Sequence, residues 1–248
     1  MKRVLKGTEP QKLASFRSAN PAATWDEMRN DALHQGQQAY QDCRAQTIAE
    51  QHGLCAYCEC KIDATKPHRC GVEHVYPKSA TTSNSHNWHL DWSNLLAVCD
   101  GGQSQGSQET PLPANLSCDA AKGDKAIDVS ALDIPAFPNL FEFDKSTCYL
   151  KPNLTSCAQA SIDASKLQAT IDVLNLNCGR LARQRREILF DIERRKKTLR
   201  QKSYTPQNGL TRLVDGYFNN AWPEFFTTIR CCLGQDAENY LSSVGYTG

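Results

Sequence analysis

The sequence contains no apolar run approaching the roughly 20 residues that a membrane span requires, which excludes an integral helical membrane protein. Its first residues, MKRVLKGTEPQKL, are basic but carry neither an apolar h-region nor a cleavage site, so no secretion signal is read. Net charge is almost absent, at +1 over 248 residues, so no global field draws the chain onto nucleic acid or a membrane. Any such attraction must come from local patches. Internal repeats are lacking too, which argues against a solenoid. Hydrophobic residues, at 40%, permit a core without making it generous, and the length suits one large or two small domains.

Cysteine, in contrast, is plentiful: there are twelve. A chain without a signal is expected in a reducing compartment, the cytoplasm, where closely spaced cysteines bind metal more often than they form disulfides. Cys55-x2-Cys58 presents two sulfurs from one turn, and a closed tetrahedral zinc site needs a second pair. Cys99 and Cys118 are the expected partners, because each follows an apolar stretch that can pack beside the turn. Cys60 and Cys70 are the competing ligands. Cys43, Cys148, Cys157, Cys178, Cys231 and Cys232 are scattered and read mostly as small buried apolar residues.

The coarse organisation is α+β and mainly helical. Residues 1–24 look irregular. A helix is expected from Trp25 to about Gln51, with Thr24 and Glu27 forming a capping box and Met28, Leu33, Tyr40 and Ile48 loosely on one face. Residues 53–127 form the cysteine module, with β-prone stretches at 72–76 and 95–98, a polar loop at 79–89, a soft Gly/Ser/Gln/Pro insertion at 101–115 and a helix from Asp119 to Ala126. Residues 128–248 begin with short β-prone pieces at 140–143 and 148–150. Helices follow at 165–174, 180–202, 210–218 and 222–233. Phe218, Trp222, Phe225 and Phe226 read as core.

Between the cysteines lie residues able to hydrolyse a phosphodiester. His74 can take a proton from water near neutral pH. Glu73 and Asp119 can hold a hard divalent cation such as Mg²⁺ or Mn²⁺. Asn94 can hold His74 in place by bonding backbone in the intervening loop. Lys122 lies one turn after Asp119 and can reach a phosphate, as can Lys78. Neighbours on a strand face opposite ways, so Glu73 and His74 share a site only if the strand ends there, which Pro77 makes credible. Singly, each has a plainer role: a core histidine, an N-cap, a turn asparagine, a solvated lysine. Their order among the four cysteines favours the chemical one.

That order, Glu73-His74, Asn94, then Cys118-Asp119 with Lys122, resembles the HNH or ββα-metal nuclease motif. The resemblance implies that His74 is general base, that Asn94 orients the loop, that Asp119 stands where His or Asn usually helps hold the cation, and that cleavage leaves 5′-phosphate and 3′-hydroxyl ends. The four-cysteine zinc variant of the family matches Cys55, Cys58, Cys99 and Cys118. CAYCECKI, VEHVYPKS, DWSNLLAVC, CDAAKGDK, NLFEF and the later LNLN segment are similar to the HNH subunit of Septu-type and retron-associated antiphage systems. This implies a prokaryotic effector nuclease working beside an ABC/SMC-like ATPase, with a retron reverse transcriptase and its RNA–DNA product as further partners.

Residues 180–202 carry ten Lys/Arg against Glu187, Asp191 and Glu193. Three readings stand: a phosphate-tracking helix with Arg183 and Arg186 on substrate, a solvated face with i,i+4 pairs above an apolar stripe, or a dock for an acidic partner. The competing functions are accordingly a metal-dependent endonuclease acting on DNA or a structured RNA, and a non-catalytic zinc-stapled subunit that binds nucleic acid or the ATPase.

Overall fold

The computed structural model describes residues 1–82, 86–104 and 110–248. It is an α+β chain in which helices dominate and two small antiparallel sheets are embedded. Parts of the expected polar loop (83–85) and of the soft insertion (105–109) lie outside the described residues.

The N-terminal region holds α1 (Gln11–Ala19), α2 (Trp25–Asn30) and α3 (Gly36–Glu50). The capping box forms: Glu27 N–H donates to the Thr24 hydroxyl, and Thr24 N–H donates to Glu27 Oε2 at 2.7 Å. The single helix expected over 25–51 is broken, however. The Asp31 carboxylate accepts from the backbone N–H groups of Leu33, His34 and Gly36, offering those amides an alternative to the helical ladder. Leu33, placed by periodicity on the inner face, is 87% exposed in that break. α1 corrects the expectation of irregular chain before residue 24. It buries only Leu13 and Phe16, too few to show a period. These helices enclose a core with Met28, Ala39 and Cys43, closed by Leu90, Trp92 and Leu95.

β1 (Cys70–His74) pairs antiparallel with β2 (Leu95–Cys99), setting Glu73 opposite Leu96 and His74 opposite Leu95. Two strands are marginal alone, and a side chain supplements them. Gln51 accepts from Ala97 N–H at 2.7 Å and donates to the Ala97 carbonyl at 2.7 Å, much as a third strand would. Ala56 N–H also reaches the Ala97 carbonyl, at 3.0 Å. α4 (Asp119–Lys122) is one turn, shorter than the expected 119–126, and ends at Gly123.

The C-terminal region comprises β3 (Phe141–Asp144) paired with β4 (Tyr149–Pro152), then α5 (Leu154–Gln159), α6 (Ala164–Val173), α7 (Gly179–Gln201), α8 (Pro206–Phe218), α9 (Phe226–Leu233) and α10 (Gln235–Ser243). α5 and α10 were not expected from the sequence, and α9 begins four residues later than the expected 222. Phe218, Phe225 and Phe226 are buried, and Trp222 packs against the helical core that holds Phe218 and Phe226. The largest core cluster draws on all three expected segments, through Val4, Leu96, Cys118, Leu150 and Leu181 among others. Among the described residues no helix is long and apolar enough to cross a membrane.

Replacing Gln51 with Ala leaves a buried Ala97 N–H unpaired, at a cost of about 1–3 kcal/mol. Urea unfolding of Gln51→Ala should show that loss; an unchanged midpoint would mean that the β2 edge is satisfied without this side chain.

Candidate active site and metal staple

Cys55 and Cys58 sit in a tight knuckle. Cys55 N–H donates to the Cys60 carbonyl at 2.9 Å and Glu59 N–H to the Cys55 carbonyl at 3.0 Å, with Glu59 in the left-handed region to close the turn. Cys99 ends β2, and Cys118 immediately precedes α4. The LNLN segment before α7 holds the chain around Cys118 in place. Leu174 offers its carbonyl to Cys118 N–H at 2.8 Å, and the Asn175 amide bridges the carbonyls of Ala114 and Leu116. The four sulfurs lie within 4.8 Å of one another, and three of the pairs are 3.8, 3.6 and 3.8 Å apart (55–118, 58–99 and 99–118). Tetrahedral zinc with Zn–S bonds near 2.3 Å sets sulfurs about 3.8 Å apart. The four cysteines can therefore hold a structural metal such as zinc. Cys60 lies outside the group of four, with its sulfur beside Cys58 and 3.9 Å from Gln184, Cys70 turns toward its own strand, and all twelve cysteines are free of disulfides.

Four thiolates around a dication carry surplus negative charge, and two buried arginines of α7 face it. Arg180 donates to Ser117 Oγ at 2.7 Å and to the Gly101 carbonyl at 3.2 Å, and Ser117 Oγ lies 3.5 Å from Cys118 Sγ. Gly102 makes room for this: at φ +87°, a Cβ there would sit 2.4 Å from Arg180 Nε. Burial opposes the Arg180 charge, yet the thiols around it, Cys178 foremost, leave its pKa raised. Arg185 is 1% exposed. Its Nη1 reaches Asn177 at 3.4 Å, its Nε and Nη2 have no hydrogen-bond partner, and its charge lies in the fields of Glu59, Cys58, Cys60 and Cys178.

On the β1 side of the module, neighbouring residues face different surroundings. Glu73 meets Lys122 Nζ at 2.8 Å and accepts from the Tyr57 hydroxyl at 3.4 Å. The Asp119 carboxylate abuts it. Burial and the Asp119 carboxylate push the Glu73 pKa up to about 8, with Lys122 pulling the other way. Two adjacent carboxyls served by one ammonium form an oxygen-donor set short of positive charge, which suits a hard dication. His74 is the last residue of β1, where the strand ends, with its ring 4.9 Å from Trp25, edge to face. Its Nε2 is 3.0 Å from the His89 carbonyl. A carbonyl only accepts, so Nε2 carries the proton and Nδ1 presents a lone pair. Burial lowers the His74 pKa to about 4, so the ring is neutral at pH 7. Asn94 accepts from Tyr76 N–H at 2.7 Å and donates to the carbonyls of Tyr76 and Trp88 at 3.0 Å, which ties down the chain leaving β1.

No family model matches the chain. A protein of Escherichia coli, named as a candidate HNH endonuclease of retron Ec83, is 38% identical over 257 residues that span 95% of this chain and 95% of that one. The chain belongs to the HNH endonuclease family.

In this HNH endonuclease the structure gathers Cys55, Cys58, Cys99 and Cys118 at one point, and Glu73 with Asp119 at another. Lys122 is a correction. Expected to reach a phosphate, Lys122 is 2% exposed, and its ammonium is bonded to Glu73 and, at 3.1 Å, to the His74 carbonyl. Arg180 and Arg185 are a second correction, because they are buried beside the thiols and do not belong to a solvated or substrate-facing surface. Arg183 and Arg186 are exposed on α7, and Lys78, half-buried just after Pro77, acts electrostatically on His74 and His89. The sequence reading missed Tyr57, whose signal was its place between Cys55 and Cys58. Arg185 gave no signal, since nothing separates it from its neighbours in a basic run.

Metal analysis should find one zinc per chain bound by these thiolates. Cys58→Ser and Cys118→Ser should each lose it and melt at lower temperature. Full zinc retention in both variants would show that the sulfurs do not share an ion.

Proposed function

We propose that this HNH endonuclease hydrolyses phosphodiester bonds of nucleic acid, DNA or a structured RNA, with His74 as general base. The observation that carries this is the His89 carbonyl on His74 Nε2, which fixes the tautomer and leaves Nδ1 as the proton acceptor, at the end of the strand whose preceding residue sets a carboxylate beside Asp119. His74 takes a proton from the attacking water as the new oxygen–phosphorus bond forms. The phosphorus–O3′ bond breaks and the departing oxygen takes a proton from solvent, leaving 5′-phosphate and 3′-hydroxyl ends. Glu73 and Asp119 would hold Mg²⁺ or Mn²⁺. When bound, such a cation stabilises charge on the leaving oxygen and orients the phosphate. Lys122 stays with Glu73 and limits the repulsion between the two carboxylates. Asn94 holds the loop that follows His74, and Lys78, Arg183 and Arg186 remain exposed or half-exposed cations for the strand.

The succession of β1, β2 and α4 supports a ββα-metal finger, stapled by zinc on the four cysteines and set between an N-terminal segment (1–52) and a helical region (128–248). The retron in the relative's name supports an effector nuclease in antiphage defence. On this reading it works in a prokaryotic cytoplasm beside an ABC/SMC-like ATPase and, in a retron, a reverse transcriptase with its RNA–DNA product.

The purified chain, alone and co-expressed with such an ATPase, should cleave plasmid DNA or total RNA when Mg²⁺ or Mn²⁺ is supplied. His74→Ala should lower the rate by about 100-fold or more while zinc content holds and the chain stays folded at a somewhat lower melting temperature. Wild-type rates in that variant would place the base elsewhere. Salt-sensitive binding by the wild type with no cleavage under any metal would make this a binding subunit.

A further inference from the structure

The chain leaving β1 carries an aromatic pair that the hydrolytic reading does not use. Tyr76, two residues past His74, is 53% exposed. Its ring stacks on Trp88 with 4.5 Å between centroids and 26° between planes. Single exposed aromatics are ordinary, and Tyr149 and Phe190 are others in this chain. Tyr76 differs in how it is held. Both its N–H and its carbonyl are bonded to the buried Asn94 amide, and the same amide holds the Trp88 carbonyl. Trp88 N–H donates to Thr81 Oγ1 at 3.1 Å. The His86 ring lies 4.5 Å from the Trp88 ring at 68° to it and is itself 2.6 Å from Asp91, whose other oxygen accepts from Ser93 N–H. One buried side chain thus fixes the platform relative to the end of β1, so little ordering cost remains when a flat ligand arrives.

The neighbours suit a nucleotide. His74, Tyr76 and Lys78 fall within five residues, and Lys78 is close enough to act on both His74 and His89. The residue of the proposed base, an exposed aromatic ring and a cation therefore follow one another closely along the chain leaving β1. In a duplex both faces of a base are covered by its neighbours, so a side-chain platform can take only a base that has left the stack. Every base has a π-face, so such a platform tolerates any sequence and either sugar.

We propose that the Tyr76–Trp88 pair is a stacking platform for an unpaired nucleobase beside the scissile phosphate, and that the substrate is accordingly single-stranded or locally unpaired nucleic acid. The proposal rests on the nuclease reading above for the position of that phosphate.

The test measures binding by fluorescence anisotropy with Mg²⁺ and Mn²⁺ omitted, using the full chain. The probes are a short oligothymidylate, an oligouridylate, an all-abasic strand of the same length and charge, and a blunt duplex. Wild type should prefer each oligonucleotide over the abasic strand by about tenfold. Tyr76→Phe should keep that preference. Tyr76→Ala should bind the oligonucleotides only as tightly as the abasic strand, with duplex binding, zinc content and melting temperature unchanged. Equal loss on abasic and intact strands, or an undiminished preference in Tyr76→Ala, would overturn the platform. Thymidylate and uridylate arms report separately whether deoxyribose or ribose strands use it. Cleavage in the presence of Mg²⁺ is scored in parallel. Cleavage without a base-dependent preference defeats the platform and leaves the nuclease reading standing, and a preference lost in Tyr76→Ala without cleavage does the reverse.

Discussion

The convergence of four cysteine sulfurs is the constraint on which the remaining structure depends. A two-stranded sheet and a single helical turn do not persist alone in water. β1, β2 and α4 are held because Cys55 and Cys58 from the knuckle, Cys99 from the end of β2 and Cys118 from the start of α4 meet within 4.8 Å. The next residue after Cys118 is Asp119, and one turn on is Lys122; both therefore arrive at Glu73 as a consequence of where the sulfurs are. The residues between Cys99 and Cys118 can vary in length at little thermodynamic expense, because closure entropy grows only logarithmically with loop size. What cannot vary is the approach of the two ends, which Leu174, Asn175 and Arg180 secure by hydrogen bonds to the segment around Cys118.

Helix α7 serves two environments along its length. Its first turns place Arg180 and Arg185 beside the thiols, where two buried cations would offset the charge of a metal-bound tetrathiolate. Its later turns meet solvent, and there Asp191 pairs with Arg194, Arg195 and Tyr217, while Glu193 pairs with Lys196. The knuckle is joined to the helical region from the other side as well: Glu59 accepts from Thr227 N–H at 2.9 Å, and its carbonyl accepts from Phe225 N–H at 3.1 Å. A metal held by the four cysteines would consequently be part of the packing of the C-terminal helices, and loss of the thiolate charge would leave buried Arg185 with Glu59 as its remaining counter-charge.

Local chemistry made much of this legible. The Thr24–Glu27 capping box, the two β-prone stretches around 72–76 and 95–98, and the spacing of Cys55, Cys58, Cys99 and Cys118 each act over a few residues or through one ligand geometry, and patterns of that kind survive in the sequence. What escaped was decided by tertiary partners. Asp31 breaks a well-patterned helix because its carboxylate competes for three amides. Lys122 looks like any surface lysine until Glu73, distant in sequence, is placed against it. Arg185 is indistinguishable from Arg183 and Arg186 until the helix is docked. α1 and α5 are short and bury too few apolar side chains to announce a period.

The alternation of β1 gives the proposed chemistry its electrostatic logic. Burial acts on both Glu73 and His74, and in each it disfavours the charged form, so the carboxyl rises to about 8 while the imidazole falls to about 4. Burial and the neighbouring Asp119 carboxylate thus make the Glu73 carboxyl easier to protonate, while Lys122 favours its ionised form. Ionising Glu73 leaves two carboxylates against one ammonium, a single surplus negative charge in a partly dry site. A dication alone would overshoot that charge, and a phosphodiester alone would deepen it; the two together restore neutrality. On the proposed reading, therefore, cation and substrate favour each other's binding. The low pKa of His74 keeps its Nδ1 unprotonated even beside that added positive charge, at the expense of some basicity, which is the trade a buried general base makes.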